Sequence, residues 1–298
     1  MPAEFMTGSK DTEHRLWLGL GLACGITLLE FFGGLISHSL ALVSDSAHIL
    51  TDVITFGLGI LTIRLARMPH TQRRTYGYHR AEIFAALING AILVGIALFI
   101  LYEAYSRFRE PSDVHGTLVM GVASVALAAN LVMLRLFRHS SKTSLNIKGV
   151  FLHAVSDVFS STGVIVSGAI IFVSGYLTVD PIIAALIGVL ILRNAISLVR
   201  DSSDVLMEAI PKHLDLATIT RTIQEVPGVR GVHDLHVWTI TSGLYVVSGH
   251  ITVSSQSMEE GSKIISEISE RLRTSYGIDH VTIQLEQENL EKIQEPDV

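Results

Sequence analysis

The chain has 298 residues, 49% hydrophobic and only 17% charged, with a net charge of −6 and a mean hydropathy of +0.46. A soluble domain carries about 25% charged residues, so a wholly soluble chain is excluded, and no basic tract offers a surface for nucleic acid. A single cysteine, Cys24, excludes an intramolecular disulfide and a thiolate metal site.

Residues 1–15 read as a polar N-terminal tail, polar through His14, so no cleavable signal peptide is expected. Six apolar stretches follow, near 16–37, 40–64, 81–103, 116–137, 147–174 and 180–199. A membrane-spanning helix needs about 20 apolar residues, and each stretch is near that length. Spans one and two are joined only by "SHSL". Spans five and six are joined by "GYLTVDP", whose Pro181 suits a first helical turn.

Basic residues in the connections set the orientation. The second connection holds Arg64, Arg67, Arg73, Arg74 and Arg80, and the fourth holds Arg135, Arg138, Lys142 and Lys148. The first and fifth hold none, and in the third Arg107 and Arg109 are offset by Glu103, Glu110 and Asp113. The simplest solution puts connections two and four, both termini and the tail in the cytoplasm.

The membrane domain is expected over 16–200, a cytoplasmic domain over 201–290, and a C-terminal tail over 291–298. Within 201–290, "LDLATITRTIQEV" has helical spacing, and "GVHDLHVWTI" and "LYVVSGHITV" read as strands joined by "TSG". "SMEEGSKIISEISERLRTSY" reads as an amphipathic helix stopped by Gly277, and "DHVTIQLE" as a last strand. The order α-β-β-α-β predicts a small two-layer α+β domain.

Spans two and five carry a repeated pattern, "HILTDV" and "HAVSDV". Residues four apart share a helix face, so His48 neighbours Asp52, and His153 neighbours Asp157; Asp45 falls on the face of His48. Imidazole and carboxylate suit zinc and similar divalent ions. One such pair alone reads as a structural ion pair. Two pairs supply four N/O ligands, and of thirteen histidines only these two have Asp at i+4. Intramembrane ionisable residues cost about 2.5–3.5 kcal/mol each on insertion scales and mark functional sites. A metal site is therefore the preferred reading. Ser44, Ser46, Thr51, Thr55, Ser156, Ser160, Ser161 and Thr162 beside the pairs fit a transport path, or simply helix packing. Glu30 reads as a proton-path or packing group, and Asn130 as an interhelical donor. A closed four-ligand set argues against an enzyme, because a catalytic zinc keeps a water; no HExxH pattern is present. A metal sensor or partner subunit is the other reading.

The segments "SLALVSDSAHILTDV", "YGYHRAEIFAALINGAILV", "NIKGVFLHAVSDVFSSTGVIV", "DPIIAALIGVLILRNA", "VLMEAIP" and "VHDLHVWTITSG" resemble the cation diffusion facilitators, in their zinc-transporting branch. The resemblance covers about 15–288 and is similar to both bacterial zinc/cadmium/cobalt efflux proteins and vertebrate zinc transporters. It implies a homodimeric antiporter of six transmembrane helices with a cytoplasmic metallochaperone-like domain, in the bacterial inner membrane, moving Zn²⁺ outward against protons. It assigns the transport ligands to His48, Asp52, His153 and Asp157, with Asp45 close by. His48 points to zinc, because manganese- and iron-type members usually have Asp there.

The chain departs from the family's pattern in two connections. "RHSSKTSL" holds His139 alone where many members are His-rich, and "TQRRTYGYHRAE" holds only His79. The resemblance makes His79 a candidate interfacial ligand. In the cytoplasmic domain it implies zinc binding near His233, His250, His280 and Glu286, as a regulatory ligand site. His236 is a further candidate, and a regular strand would turn it to the face opposite His233.

Overall fold

The computed structural model describes residues 10–66, 72, 75–138, 145–241, 243–254 and 257–287. Side chains are described for the same residues except 10–16, 52, 55–56, 58–66, 133, 136–138 and 145–156. Two compact units result, one from Met1–Met68 and Ala85–Val199, the other from Pro69–Phe84 and Arg200–Val298.

Among the described residues six helices come first along the chain: α1 Lys10–Ser37, α2 Leu40–Ala66, α3 Arg80–Arg109, α4 Gly116–Arg138, α5 Leu145–Ser174 and α6 Val179–Leu206, all in the first unit except residues 80–84 of α3 and 200–206 of α6. The burial pattern is inverted relative to a soluble protein. Phe99, Tyr102, Phe172 and Val173 are exposed, whereas Glu30, Asp45, Asn130 and Ser161 are buried. Water would penalise that surface, but lipid does not, and this is a transmembrane domain. Four helical segments are long and apolar enough to cross: Trp17–Ser37, Arg80–Arg109, Asp157–Ser174 and Val179–Leu206. The described apolar stretches of α2 and α4 are shorter, Leu40–Thr51 and Gly116–Val132.

A small apolar core takes one large residue from each of five helices: Leu42, Ile100, Val119, Val164 and Ile191. α4 and α5 approach at Gly116 and Gly168, where a Cβ on Gly116 would stand 2.7 Å from the Gly168 carbonyl oxygen. Only glycine allows the two backbones so close. The first turn of α2 is held by a residue far along the chain: Asp180 accepts from the Leu40 N–H at 2.7 Å and the Ser39 hydroxyl at 2.5 Å. Donors without an intrahelical partner thus meet a carboxylate at the positive end of the helix dipole.

The second unit contains α7 Leu216–Gln224, β1 Val229–Thr241, β2 Leu244–Val253, α8 Met258–Tyr276 and β3 Ile278–Gln287. This is the C-terminal α+β domain, in the expected order. β1 and β2 pair antiparallel and β2 and β3 pair parallel, giving the order β1-β2-β3. A parallel pair needs a crossover, and α8 supplies it. Ile219, Ile223, Ile264, Ile268 and Leu272 from the two helices close on Val237, Val247 and Ile251 of the sheet. α8 ends at Gly277, whose φ of +68° admits glycine without strain.

β1 is not regular. His233 pairs with His250, but His236 pairs with Ser248, so three residues of β1 span two of β2. The extra residue is a bulge, with Asp234 at a φ of +51°. The expectation of opposite faces for His233 and His236 therefore fails: the bulge restores His236 to the side that His233 occupies.

Candidate metal centres

α2 brings buried polar residues into the membrane domain over less than two turns: Ser44, Asp45, Ser46 and His48. The hydroxyls of Ser44 and Ser46 return to the Leu40 and Val43 carbonyls, at 2.8 and 2.7 Å. They thereby satisfy themselves inside the helix. His48 reaches across to a second helix. Its Nε2 lies 3.4 Å from Asp157 Oδ1 of α5, and both residues are buried, at 5% and 6% exposure. That is long for a charge-assisted hydrogen bond, usually about 2.7–2.9 Å. It matches the edge of a tetrahedron, because ligands about 2.0–2.1 Å from zinc sit roughly 3.3–3.4 Å apart. Imidazole nitrogen and carboxylate oxygen are both fit donors for such an ion. Asp52 and His153 lie on α2 and α5, but their side chains are outside the described residues.

Asp45 plays a different part. It accepts from the Ser160 hydroxyl in a short hydrogen bond and from the Ser161 hydroxyl at 3.2 Å, both on α5. Asn130 of α4 donates to Ser161 at 3.2 Å. α2, α4 and α5 are thus tied together one turn from Asp157, with Asn130 acting as the expected interhelical donor. Glu30 on α1 is fully buried, with the carboxyl groups of Asp45 and Asp157 among its neighbours.

The cytoplasmic domain holds a second group. Among the described residues, the one set of three His, Cys, Asp or Glu with ligand atoms within 4.8 Å of one another is His233, His250 and Glu286. The register produces it: His233 faces His250 across β1 and β2, while His250 pairs with Gln284, two residues before Glu286 on β3. Glu286 accepts from or pairs with His250 Nδ1 at 2.7 Å and is held by Gln284 Nε2 at 2.8 Å. His233 Nε2 is buried and 3.2 Å from Glu286 Oε2, yet not aligned as a hydrogen bond. A buried ring nitrogen aimed beside a carboxylate, without bonding to it, fits a shared cation. His236 instead contacts Asp234 at 2.9 Å and is well exposed. His280 is exposed on β3, opposite Val246, outside the group. His79 is half-buried in the turn before α3, in the unit that contains the cytoplasmic domain.

Two residues of the membrane domain went unnoticed in the sequence. Asp180 gives a weak signal, a lone carboxylate before Pro181. Asn89 gives none beyond being polar within "ALINGAIL".

A family profile described as "Cation efflux transmembrane domain" matches residues 16–207, and one described as "Cation efflux protein, cytoplasmic domain" matches 211–288. The "Metal cation efflux system protein CzcD" of Cupriavidus metallidurans is 38% identical over 274 residues, covering 92% of this chain and 86% of that protein. The "Cadmium, cobalt and zinc/H(+)-K(+) antiporter" of Bacillus subtilis is 38% identical over 267 residues, covering 89% and 86%. The "Zinc transporter ZitB" of Escherichia coli is 36% identical over 278 residues, covering 93% and 88%.

Proposed function

Because the chain belongs to the cation efflux family, whose members are transporters and not enzymes, we propose that it exports Zn²⁺ from the cytoplasm in exchange for protons. Cd²⁺ and Co²⁺ are secondary substrates of the same N/O ligand set. The ion sits between α2 and α5 on His48, Asp52, His153 and Asp157. The approach of His48 to Asp157 across two helices is the observation that carries this reading. Six helices cross the bacterial inner membrane, with both termini in the cytoplasm. Residues 16–200 form the membrane domain and 201–290 the cytoplasmic domain. The protein works as a homodimer assembled through the cytoplasmic domain.

Exchange follows from ligand chemistry. Zinc needs neutral imidazole and ionised carboxylate, so binding releases protons and protons release zinc. Free imidazole titrates near about 6.5, within reach of both sides of an energised membrane. Facing the cytoplasm, the deprotonated ligands take the ion. Facing outward, protons displace it, and the protonated ligands return. In the cytoplasmic domain, His233, His250 and Glu286 hold a regulatory zinc, with His79 as a further ligand candidate.

The test is zinc uptake into proteoliposomes with an internal fluorescent indicator and an imposed pH gradient. The wild-type protein should move zinc against the proton gradient and stop when the gradient is collapsed. Zinc movement indifferent to the gradient would overturn proton exchange. No movement at all would favour a metal sensor.

A further inference from the structure

The hydroxyls along α2 and α5 divide into two kinds. Those of Ser44, Ser46, Thr51 and Thr162 return to carbonyls of their own helix, at 2.6–2.8 Å. Those of Ser160 and Ser161 cross from α5 to one carboxyl group, Asp45 of α2, and each donates to a different oxygen. Ser161 also accepts from the Asn130 carboxamide of α4 at 3.2 Å. Donation therefore runs one way, from Asn130 through Ser161 to Asp45, and from Ser160 to Asp45.

The network is buried. Asp45 and Ser161 are closed to solvent, and Asn130 nearly so. Pulling α2 away from α5 would strip Asp45 of its donors where no water replaces them, which is costly. A buried polar network whose members are satisfied rigidifies the elements it joins. At this level the two helices are clasped, not merely packed.

Register places the clasp beside the ligand pair. Asp45 precedes His48 by three residues, and Ser160 follows Asp157 by three. α2 and α5 therefore run antiparallel, and the clasp lies about 4.5 Å along the axis from the approach of His48 to Asp157. The same register sets Asp52 level with His153. The helix separation at the clasp thus governs how far apart the two halves of the proposed ligand set stand.

We infer that Asp45 is a positioning residue whose clasp to Ser160 and Ser161 sets the spacing of α2 and α5 and, through it, the size of cation the transporter prefers. The inference rests on the proposed transport site. His48 Nε2 and Asp157 Oδ1 stand 3.4 Å apart, the edge of a zinc tetrahedron. Cadmium accepts the same nitrogen and oxygen donors but is the larger ion, so it needs a wider ligand set. Donor type does not separate the two ions here, which leaves geometry to do so. A clasped helix pair keeps the narrow spacing, and a released pair is free to widen.

The experiment measures competing zinc and cadmium fluxes into proteoliposomes of the full-length protein. Ser160→Ala combined with Ser161→Ala removes both donors and leaves Asp45 and every proposed ligand in place. Zinc flux at subsaturating metal should fall about tenfold, the usual cost of leaving one buried acceptor without its donor. Cadmium flux should fall less, so the cadmium-to-zinc ratio rises. Ser160→Thr keeps the hydroxyl and should keep the wild-type ratio. Should the double variant fail to assemble, the ratio is read in Asp45→Asn, which keeps the volume but turns one acceptor into a donor. A merely structural role would lower both fluxes together, and an unchanged ratio overturns the inference. Asp157→Ala separates it from the reading beneath it. If that variant carries no zinc and the clasp variants keep the wild-type ratio, only this inference falls; if Asp157→Ala still carries zinc, the transport site itself falls.

Discussion

His48 of α2 and Asp157 of α5 meet across the helix pair at 3.4 Å, although the sequence offers each a residue of opposite type four positions away on its own helix. A local ion pair would need no second helix. In the proposed transport site the two repeats are halves of one ligand set, so a change in either half should alter the ion's environment. His48→Asp replaces a borderline nitrogen by a hard oxygen. Its flux ratio of manganese or cadmium to zinc should rise about tenfold, measured by competition in proteoliposomes. An unchanged ratio would remove His48 from the ligand set.

Asp180 holds the start of the helix that carries His48. It accepts hydrogen bonds from Leu40 and Ala41 N–H groups and from the Ser39 hydroxyl. Asp180→Ala leaves those donors buried and should cost about 2 kcal/mol. Thermal unfolding in detergent should show a clear drop in Tm, partly recovered by Asp180→Asn. A wild-type Tm in Asp180→Ala would mean that α2 starts independently of α6.

Glu286 lies between His233 and His250 and touches both. Glu286→Ala removes one of three donors and should lower metal affinity there by more than about tenfold. Calorimetry should then count one zinc fewer per protomer at low micromolar metal. An unaltered count would show that this group holds no zinc.

Asp215 caps α7, accepting from the Thr218 hydroxyl at 2.6 Å and the Thr218 N–H at 2.9 Å. These bonds favour the ionised form and hold its carboxyl below the usual carboxylate range. A depressed value in the folded state adds stability above the unfolded-state value, lost as pH falls through the folded one. Asp215→Ala should therefore lower Tm at neutral pH, with the difference from wild type closing in strong acid. A difference independent of pH would contradict the cap.

Much of the architecture was legible because it is local. The apolar runs, the α-β-β-α-β order and the helix stop at Gly277 follow from periodicity and turn chemistry. The His and Asp repeats were visible for the same reason, since four residues define a helix face. What could not be read depends on contacts distant in sequence. The bulge at Asp234, which returns His236 to the face of His233, has no marker, because aspartate is only mildly suited to positive φ. The Asp180 cap joins residues 140 apart.

The central claim is that one divalent ion is held jointly by α2 and α5. Anomalous diffraction at the zinc edge on zinc-loaded crystals tests it most directly. The account predicts a peak about 2.0–2.1 Å from one atom each of His48, Asp52, His153 and Asp157, absent in Asp157→Ala. Zinc found only at His233, His250 and Glu286, with none between α2 and α5, would contradict it.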